Sequence, residues 1–349
     1  MKQLILKLAL SIPVVILLLS CSRSMGQSLE ITRELVSGFN HKTYRVNVAL
    51  PRNYSPSDTV HYPVLYVLDG RYNFTSFSSV RDILDLAREV KDIIIVGIDG
   101  DDSTQSGWLA NRFNDFTPSA NPQQDSVWSR PFNLPFGKLR SGGAPAFLQT
   151  LSNDIISYID SHYKTNSNRG LFGHSLGGMF AAYCLLTEPD LFQEYSINSP
   201  SLWWNNGELM AMEKAFITER RDLAVRIFMS VGALEGPPMV SPLTNFADVL
   251  QSHYPRTMVT KQVFDNETHV SVVASAKSEL FGRRQQLHKK ALSIRRYPGK
   301  DKSVHCLLGA YCGTTGTTSL AIARISPRMT TLYPFAVSIL YTPCQLFIV

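Results

Sequence analysis

The sequence predicts an α/β protein with a mostly parallel central sheet and helices on both faces. Three observations carry that prediction. Short, continuous apolar runs (Tyr62 to Leu68, Ile93 to Ile98, Val225 to Val231) read as strands covered on both faces. Segments of helical periodicity, such as Val80 to Val90 and Ala146 to Tyr163, alternate with them. A sharp glycine-rich turn, Gly173-His174-Ser175-Leu176-Gly177-Gly178, joins the apolar pair Leu171-Phe172 to the apolar helical run Met179 to Leu186.

Length and composition fit one large core. The chain has 349 residues, of which 44% are apolar and 18% charged, values of a globular rather than a disordered protein. The net charge of +6 is unevenly placed. From Arg283 onward ten Lys/Arg face one acid, Asp301, so that stretch carries +9 and residues 1–282 about −3. The body therefore has no basic character for nucleic acid to exploit, and none is expected as a partner.

At the N-terminus, Lys2 and Lys7 precede an apolar stretch, Leu8 to Leu19, too short for a comfortable membrane span. Residues 1–27 read as a signal peptide. Leu18-Leu19-Ser20-Cys21 resembles a bacterial lipobox, which would acylate Cys21; Ser24-Met25-Gly26 resembles an ordinary cleavage site before Gln27. Either route leads out of the cytoplasm, to the periplasm or the outer membrane. A lipid at Cys21 is the only membrane attachment expected of this end. Cysteine usage agrees: residues 28–282 hold only Cys184, so no disulfide can form within them. No Cys/His spacing reads as a metal site, and no cofactor is implied.

The predicted elements follow in order. Tyr44 to Leu50 alternates as a half-buried strand. Tyr62 to Leu68 is an inner strand ending in Asp69-Gly70-Arg71, and the Gly70 and Arg71 amides are candidates for one of two converging oxyanion donors. Val80 to Val90 is helical; Ile93 to Ile98 is a strand running into Asp99-Gly100-Asp101-Asp102, whose spacing is not that of a calcium loop. Trp108 to Gly143 reads as a long loop capping a site, with Arg112 either a cation for an anionic substrate or the partner of Asp115. Ala146 to Tyr163 is helical. After the glycine-rich turn and its helix, Tyr195 to Asn198 is a strand leading to Ser199-Pro200-Ser201-Leu202-Trp203-Trp204, whose tryptophans are candidates for lining a cleft. Val225 to Val231, Phe246 to His253, Thr257 to Phe264 and Val272 to Phe281 read as strand, helix, strand and helix.

Gly-x-Ser-x-Gly between strand and helix is the pattern of a nucleophile elbow. It lifts the Ser175 hydroxyl above the sheet and points the Leu176 amide at a developing oxyanion. A serine nucleophile needs a base, and the base needs an acid to hold its tautomer. Of eight histidines, His269 alone follows the turn in a loop between strand and helix, and Glu235 follows the preceding strand. Asp265 and Glu267 lie too near His269 in the chain to be first choices.

These residues resemble the putative esterase family of α/β-hydrolases, which includes esterase D, enterochelin esterases and feruloyl and acetyl-xylan esterases. The carriers are Tyr66-Val67-Leu68-Asp69-Gly70, Gly142-Gly143, the Ser175 turn, Ser199 to Trp204, Gly232-Ala233-Leu234-Glu235 and Thr268-His269. The Ser-Pro-Ser-Leu-Trp-Trp segment is most similar to the branch that hydrolyses siderophore trilactones. The resemblance implies the α/β-hydrolase fold over residues 28–285, with Ser175 as nucleophile, His269 as base and Glu235 as acid. It also implies a carboxylic ester hydrolase that works through an acyl-enzyme, on a small-molecule or saccharide ester. An acyltransferase to a sugar acceptor, and a non-catalytic binding protein on the same fold, are the alternatives. Residues 286–349 depart from the family and are not expected to form a domain. A frameshifted reading would explain them, and a C-terminal membrane anchor is disfavoured by Pro334 and Pro343.

Overall fold

A computed structural model of the chain describes residues 29–282, apart from Asp58 and Arg221. The signal-peptide and tail expectations lie outside the described residues. Eight strands form one sheet: β1 Glu30–Val36, β2 Thr43–Ala49, β3 Tyr62–Leu68, β4 Ile94–Gly100, β5 Thr165–His174, β6 Glu194–Asn198, β7 Arg226–Gly232 and β8 Met258–Phe264. Their order is β1-β2-β4-β3-β5-β6-β7-β8. β2 is antiparallel to β1 and to β4, and every other neighbouring pair is parallel.

The continuous apolar runs have a physical cause. In β3, Val64, Tyr66 and Leu68 face one side of the sheet, and Leu65 and Val67 the other. In β4, Ile94, Val96 and Ile98 alternate with Ile95 in the same way. A strand with helices over both faces has no solvent side on which to place polar residues.

The smaller layer is made by α1 (Gly70–Leu86) and the C-terminal helix of the described chain (272–282), through Phe74, Phe77, Leu280 and Phe281. The larger layer holds α2 (Gln105–Asp115), α3 (Pro122–Ser129) and a continuous helical rod: α4 (Ala144–Gln149), a π-helical stretch (Thr150–Ile156) and α5 (Ser157–His162). It also holds α6 (Leu176–Thr187), α7 (Glu208–Glu219) and α8 (Pro237–His253). α6 is buried from Leu176 to Leu186, which is why its sequence is apolar on every side.

Three expectations need correction. The first helix begins at Gly70, ten residues before Val80, and ends at Leu86. Its first half, rich in Asn, Thr and Ser, has weak intrinsic propensity and is held by burial of Phe74 and Phe77. Trp108 to Gly143 is not one long loop: it holds most of α2 and all of α3, and only the stretches around and after them are irregular. Thr104 caps α2 by accepting from the Gly107 amide, and Asn121 caps α3 by accepting from the Gln124 amide. α8 begins at Pro237, not Phe246. Pro237 and Pro238 sit in its first turn, where a missing N–H costs nothing, although prolines in sequence read as a break. Two further elements, β1 and α7, carry no recognisable period in the sequence: β1 is an exposed edge strand, and α7 buries only Leu209 and Glu213.

Candidate active site

The turn after β5 is built by close approach. Ser175 takes φ 61°, ψ −121°, a conformation that L-residues avoid and that costs about 1–3 kcal/mol. Its amide donates to the Asn198 carbonyl (2.9 Å), and its own carbonyl accepts from the Ser201 amide (3.2 Å). A Cβ at position 173 would lie 2.0 Å from the Gly177 carbonyl oxygen, and one at 178 would lie 2.7 Å from that of Asn198. Glycine is therefore required at 173 and 178 because backbone fills the space.

Loops at the C-terminal ends of β5, β7 and β8 bring three side chains into a chain of hydrogen bonds. His269 Nε2 lies 3.0 Å from Ser175 Oγ, and His269 Nδ1 lies 2.5 Å from Glu235 Oε2. The other oxygen, Glu235 Oε1, accepts from Ser199 Oγ (2.6 Å) and from the Gly232 amide (2.8 Å). Burial pushes the Glu235 carboxyl up, but the hydrogen bonds from His269, Ser199 and Gly232 outweigh it and hold it below the usual carboxylate range. The two loops are tied together, since the Leu234 amide donates to the Glu267 carbonyl (3.0 Å). Glu267 itself turns to Ser275 (2.6 Å), away from His269.

Supporting residues that the sequence did not single out complete the arrangement. His174 is bonded through Nε2 to the main-chain carbonyl of His269 (2.8 Å), with the two rings 4.7 Å apart. A carbonyl only accepts, so His174 carries its proton on Nε2. Burial pushes its pKa down to about 3, with the neighbouring His269 and Arg112 pushing the same way. It is thus a neutral donor. Buried Asn198 donates to the Gly173 carbonyl (3.0 Å) and accepts from Ser230 Oγ (2.8 Å), joining β5, β6 and β7 beneath Ser175. These signals are single His, Ser and Asn residues that no pattern distinguishes.

The residues expected to bind substrate are placed differently. Arg112 does not pair with Asp115. Its guanidinium clasps Asp69, Nε to Oδ1 at 2.6 Å and Nη2 to Oδ2 at 3.0 Å, and lies over the Trp108 ring at 4.8 Å. Asp115 instead pairs with Lys42 (2.5 Å) and accepts from Tyr44 (2.9 Å). Asp69 also accepts from Trp108 Nε1 (3.2 Å) and holds a left-handed conformation, φ 53°. Arg112 therefore shapes the turn that presents Gly70 and Arg71. Of those two, the Arg71 amide is engaged with Asp99 Oδ2 (3.3 Å), as is its guanidinium (2.8 Å). Gly70, first in α1, has no i−4 acceptor within the helix, and the same holds for Leu176 at the head of α6. Trp204 is core, 1% exposed, its Nε1 donating to the Ser119 carbonyl (3.3 Å). Trp203 is half-buried and stacks on Trp128 of α3, with centroids 6.1 Å apart.

An eight-stranded sheet in this order, with a serine-bearing turn between its fifth strand and the next helix, is the α/β-hydrolase fold, and the protein is a serine esterase. The chain belongs to the family described as "Putative esterase", whose model matches residues 38–269. It is 31% identical over 210 residues to the ferri-bacillibactin esterase BesA of Bacillus subtilis, covering 58% of this chain and 70% of that one. To the siderophore triacetylfusarinine C esterase of Aspergillus fumigatus it is 30% identical over 168 residues, 46% of this chain and 53% of that one. Among solved structures, the BES protein from Bacillus cereus superposes with a TM-score of 0.63 at 27% identity, covering 76% of this chain and 97% of that chain.

Proposed function

We propose that the protein is an exported hydrolase of siderophore-type esters that works through Ser175, His269 and Glu235. The observation that carries the reading is the unbroken Oγ–imidazole–carboxylate chain at 3.0 and 2.5 Å. Ionised Glu235 accepts from Nδ1–H, which leaves Nε2 bare to take the Ser175 proton. Oγ then bonds to the ester carbonyl carbon, and the oxyanion is met by the Leu176 amide and the Gly70 amide. As the C–O bond breaks, His269 returns the proton to the departing alcohol. Water, deprotonated by His269, attacks the acyl carbon; the acyl–Oγ bond then breaks, His269 returns the proton to Ser175 Oγ, and the acid leaves.

The substrate class rests on two relatives whose names specify siderophore esters. Export rests on the N-terminal segment read above. The test is hydrolysis of ferric and iron-free siderophore triesters beside p-nitrophenyl acetate, with wild type and Ser175→Ala. The expected result is turnover of a siderophore ester well above the simple ester, and loss of at least about a thousandfold in the variant. Equal activity in both proteins would remove Ser175 from the chemistry; turnover of only the simple ester would remove the substrate class. Radiolabelled palmitate incorporation that disappears in Cys21→Ser would support the lipoprotein form of export, and a mature N-terminus at Gln27 would replace it.

A further inference from the structure

The segment after α3, residues 130–140, is anchored and bare at once. Leu139 is buried, and half-buried Leu134 packs on the core. Between these anchors the chain turns outward: Phe132 is 40% exposed and Phe136 is 94% exposed. Gly137, beside Phe136, takes φ +74°, and no atom lies within 4 Å of where its Cβ would be. Pro131, Phe132, Asn133 and Leu134 line a cavity with Gln105, Ser106 and Leu109, while Phe136 and Gly137 beyond it form a convex tip, stiffened by Pro131 and Pro135. Arg130, Lys138 and Arg140 are exposed around it; no acid occurs between Asp125 and Asp154 in the chain, and Asp102, from the loop before α2, lies near Lys138. A positive, aromatic tip thus stands on a body whose net charge is negative.

The tip is on the side of the site. Its helix α3 stacks Trp128 on Trp203, in the segment whose Ser199 and Ser201 bond to Glu235 and Ser175. The loops of the site also end in bare apolar groups. Val270, next to His269, is 77% exposed, Leu234, next to Glu235, is 65% exposed, and Tyr72 stands beside the Gly70 turn. A small ligand takes aromatic groups from a concave wall. A convex aromatic tip ringed by cations fits a planar, fluid, negatively charged surface, where rings enter the interface and Arg and Lys meet the headgroups.

We propose that the 130–140 tip, with the apolar rim of the site, docks on an anionic lipid surface and turns the mouth of the site toward it. Docking needs no catalysis by Ser175, so the Ser175→Ala protein docks equally, and failure here is separable from failure of the esterase reading.

The test uses the full chain with Cys21→Ser, so that no acyl group contributes. All four tryptophans (108, 128, 203 and 204) lie in the body, none in the basic tail, so tryptophan fluorescence reports the body alone. A fifth is placed at the tip by Phe136→Trp. Vesicles of phosphatidylglycerol and phosphatidylcholine, with and without brominated chains, are the probe. The expected result is strong bromine quenching of the added tryptophan. Neutralising Arg130, Lys138 and Arg140 to Gln should weaken partitioning about a hundredfold, because each cation near such a surface contributes roughly a fivefold factor. Vesicle binding without quenching at position 136 would assign the attachment to the tail and overturn the proposal. So would Phe132→Ser/Phe136→Ser raising KM for a soluble ester while leaving vesicle binding unchanged, which would make the rim a substrate surface only.

Discussion

His174 and Lys277 are two buried titratable residues that a pattern search passes over, and each predicts a measurement. His174 donates to the carbonyl of the residue whose ring must meet Ser175, so it acts as a positioning residue through the backbone of His269. His174→Phe is expected to lower kcat about tenfold, the worth of one lost neutral hydrogen bond, with KM little changed. His174→Gln, which keeps an N–H donor, should recover most of the loss. Equal losses in both variants, or a loss in KM alone, would deny the positioning role. Lys277 is 7% exposed, reaches Ser76 Oγ (2.6 Å) and lies over the Phe77 ring at 5.2 Å. Burial pushes its pKa down to about 8. A lysine depressed in the folded state binds fewer protons folded than unfolded between pH 8 and about 10.5, so stability rises with pH across that window. Below pH 8 the full penalty applies. Lys277→Met should therefore raise Tm by about 5 °C at pH 7, and the gain should shrink as pH climbs toward 10.5. A gain independent of pH would mean that packing, not charge burial, sets it.

Among the elements, the turn at Ser175 is where sequence and structure meet most closely, and its three glycines are not equivalent. A methyl group at 173 or 178 would collide with backbone, whereas at 177 the nearest atom is Asp69 Oδ2 at 3.4 Å. Gly177→Ala should fold and retain activity within about tenfold. Gly173→Ala should lose more than about 3 kcal/mol of stability, because backbone cannot step aside as a side chain can. Urea unfolding of the two variants separates these outcomes; equal destabilisation would contradict the geometry. The same scale explains which elements were legible. Strands β3, β4 and β7 are continuous apolar runs since both faces are covered, and their bounds in sequence and structure differ by a residue or two at most. α2 and α3 were hidden, because short capped helices in a segment rich in Pro, Asn and Gly show too few turns for a period to register. The π-helical stretch Thr150–Ile156 leaves no mark in the hydrophobic pattern that would separate it from α-helix.

For the molecule as a whole, the described helical residues 272–282 close the second face of the sheet, contributing Leu280 and Phe281 to its core at 1% exposure each. A chain ended at residue 285 should keep the melting transition and ester hydrolysis of the full chain. One ended at residue 270 should not fold, since it strips Val272, Ala276, Leu280 and Phe281 from the interior. Circular dichroism melts of the two truncations give the answer, and a stable 270-residue chain would show that this helix is dispensable.

The sequence by itself determined the parallel core and the Ser175 turn, since buried runs and a glycine-locked turn are local patterns that leave little choice. It also narrowed the histidines to His269 and the acids to Glu235, because chain order places each after a strand end. Only the tertiary structure decided the partners. Arg112 could have faced substrate or Asp115; which carboxylate lay within reach depended on the left-handed turn at Asp69, forty-three residues away in the chain. Trp203 and Trp204 are neighbours in sequence, yet Trp204 is core beside Phe113 and Trp203 stacks on Trp128 of α3, partners that lie about 75 to 90 residues away in the chain. Local patterns record what every residue of an element shares. Contacts between elements distant in the chain depend on how the layers close, and no single stretch of sequence carries that.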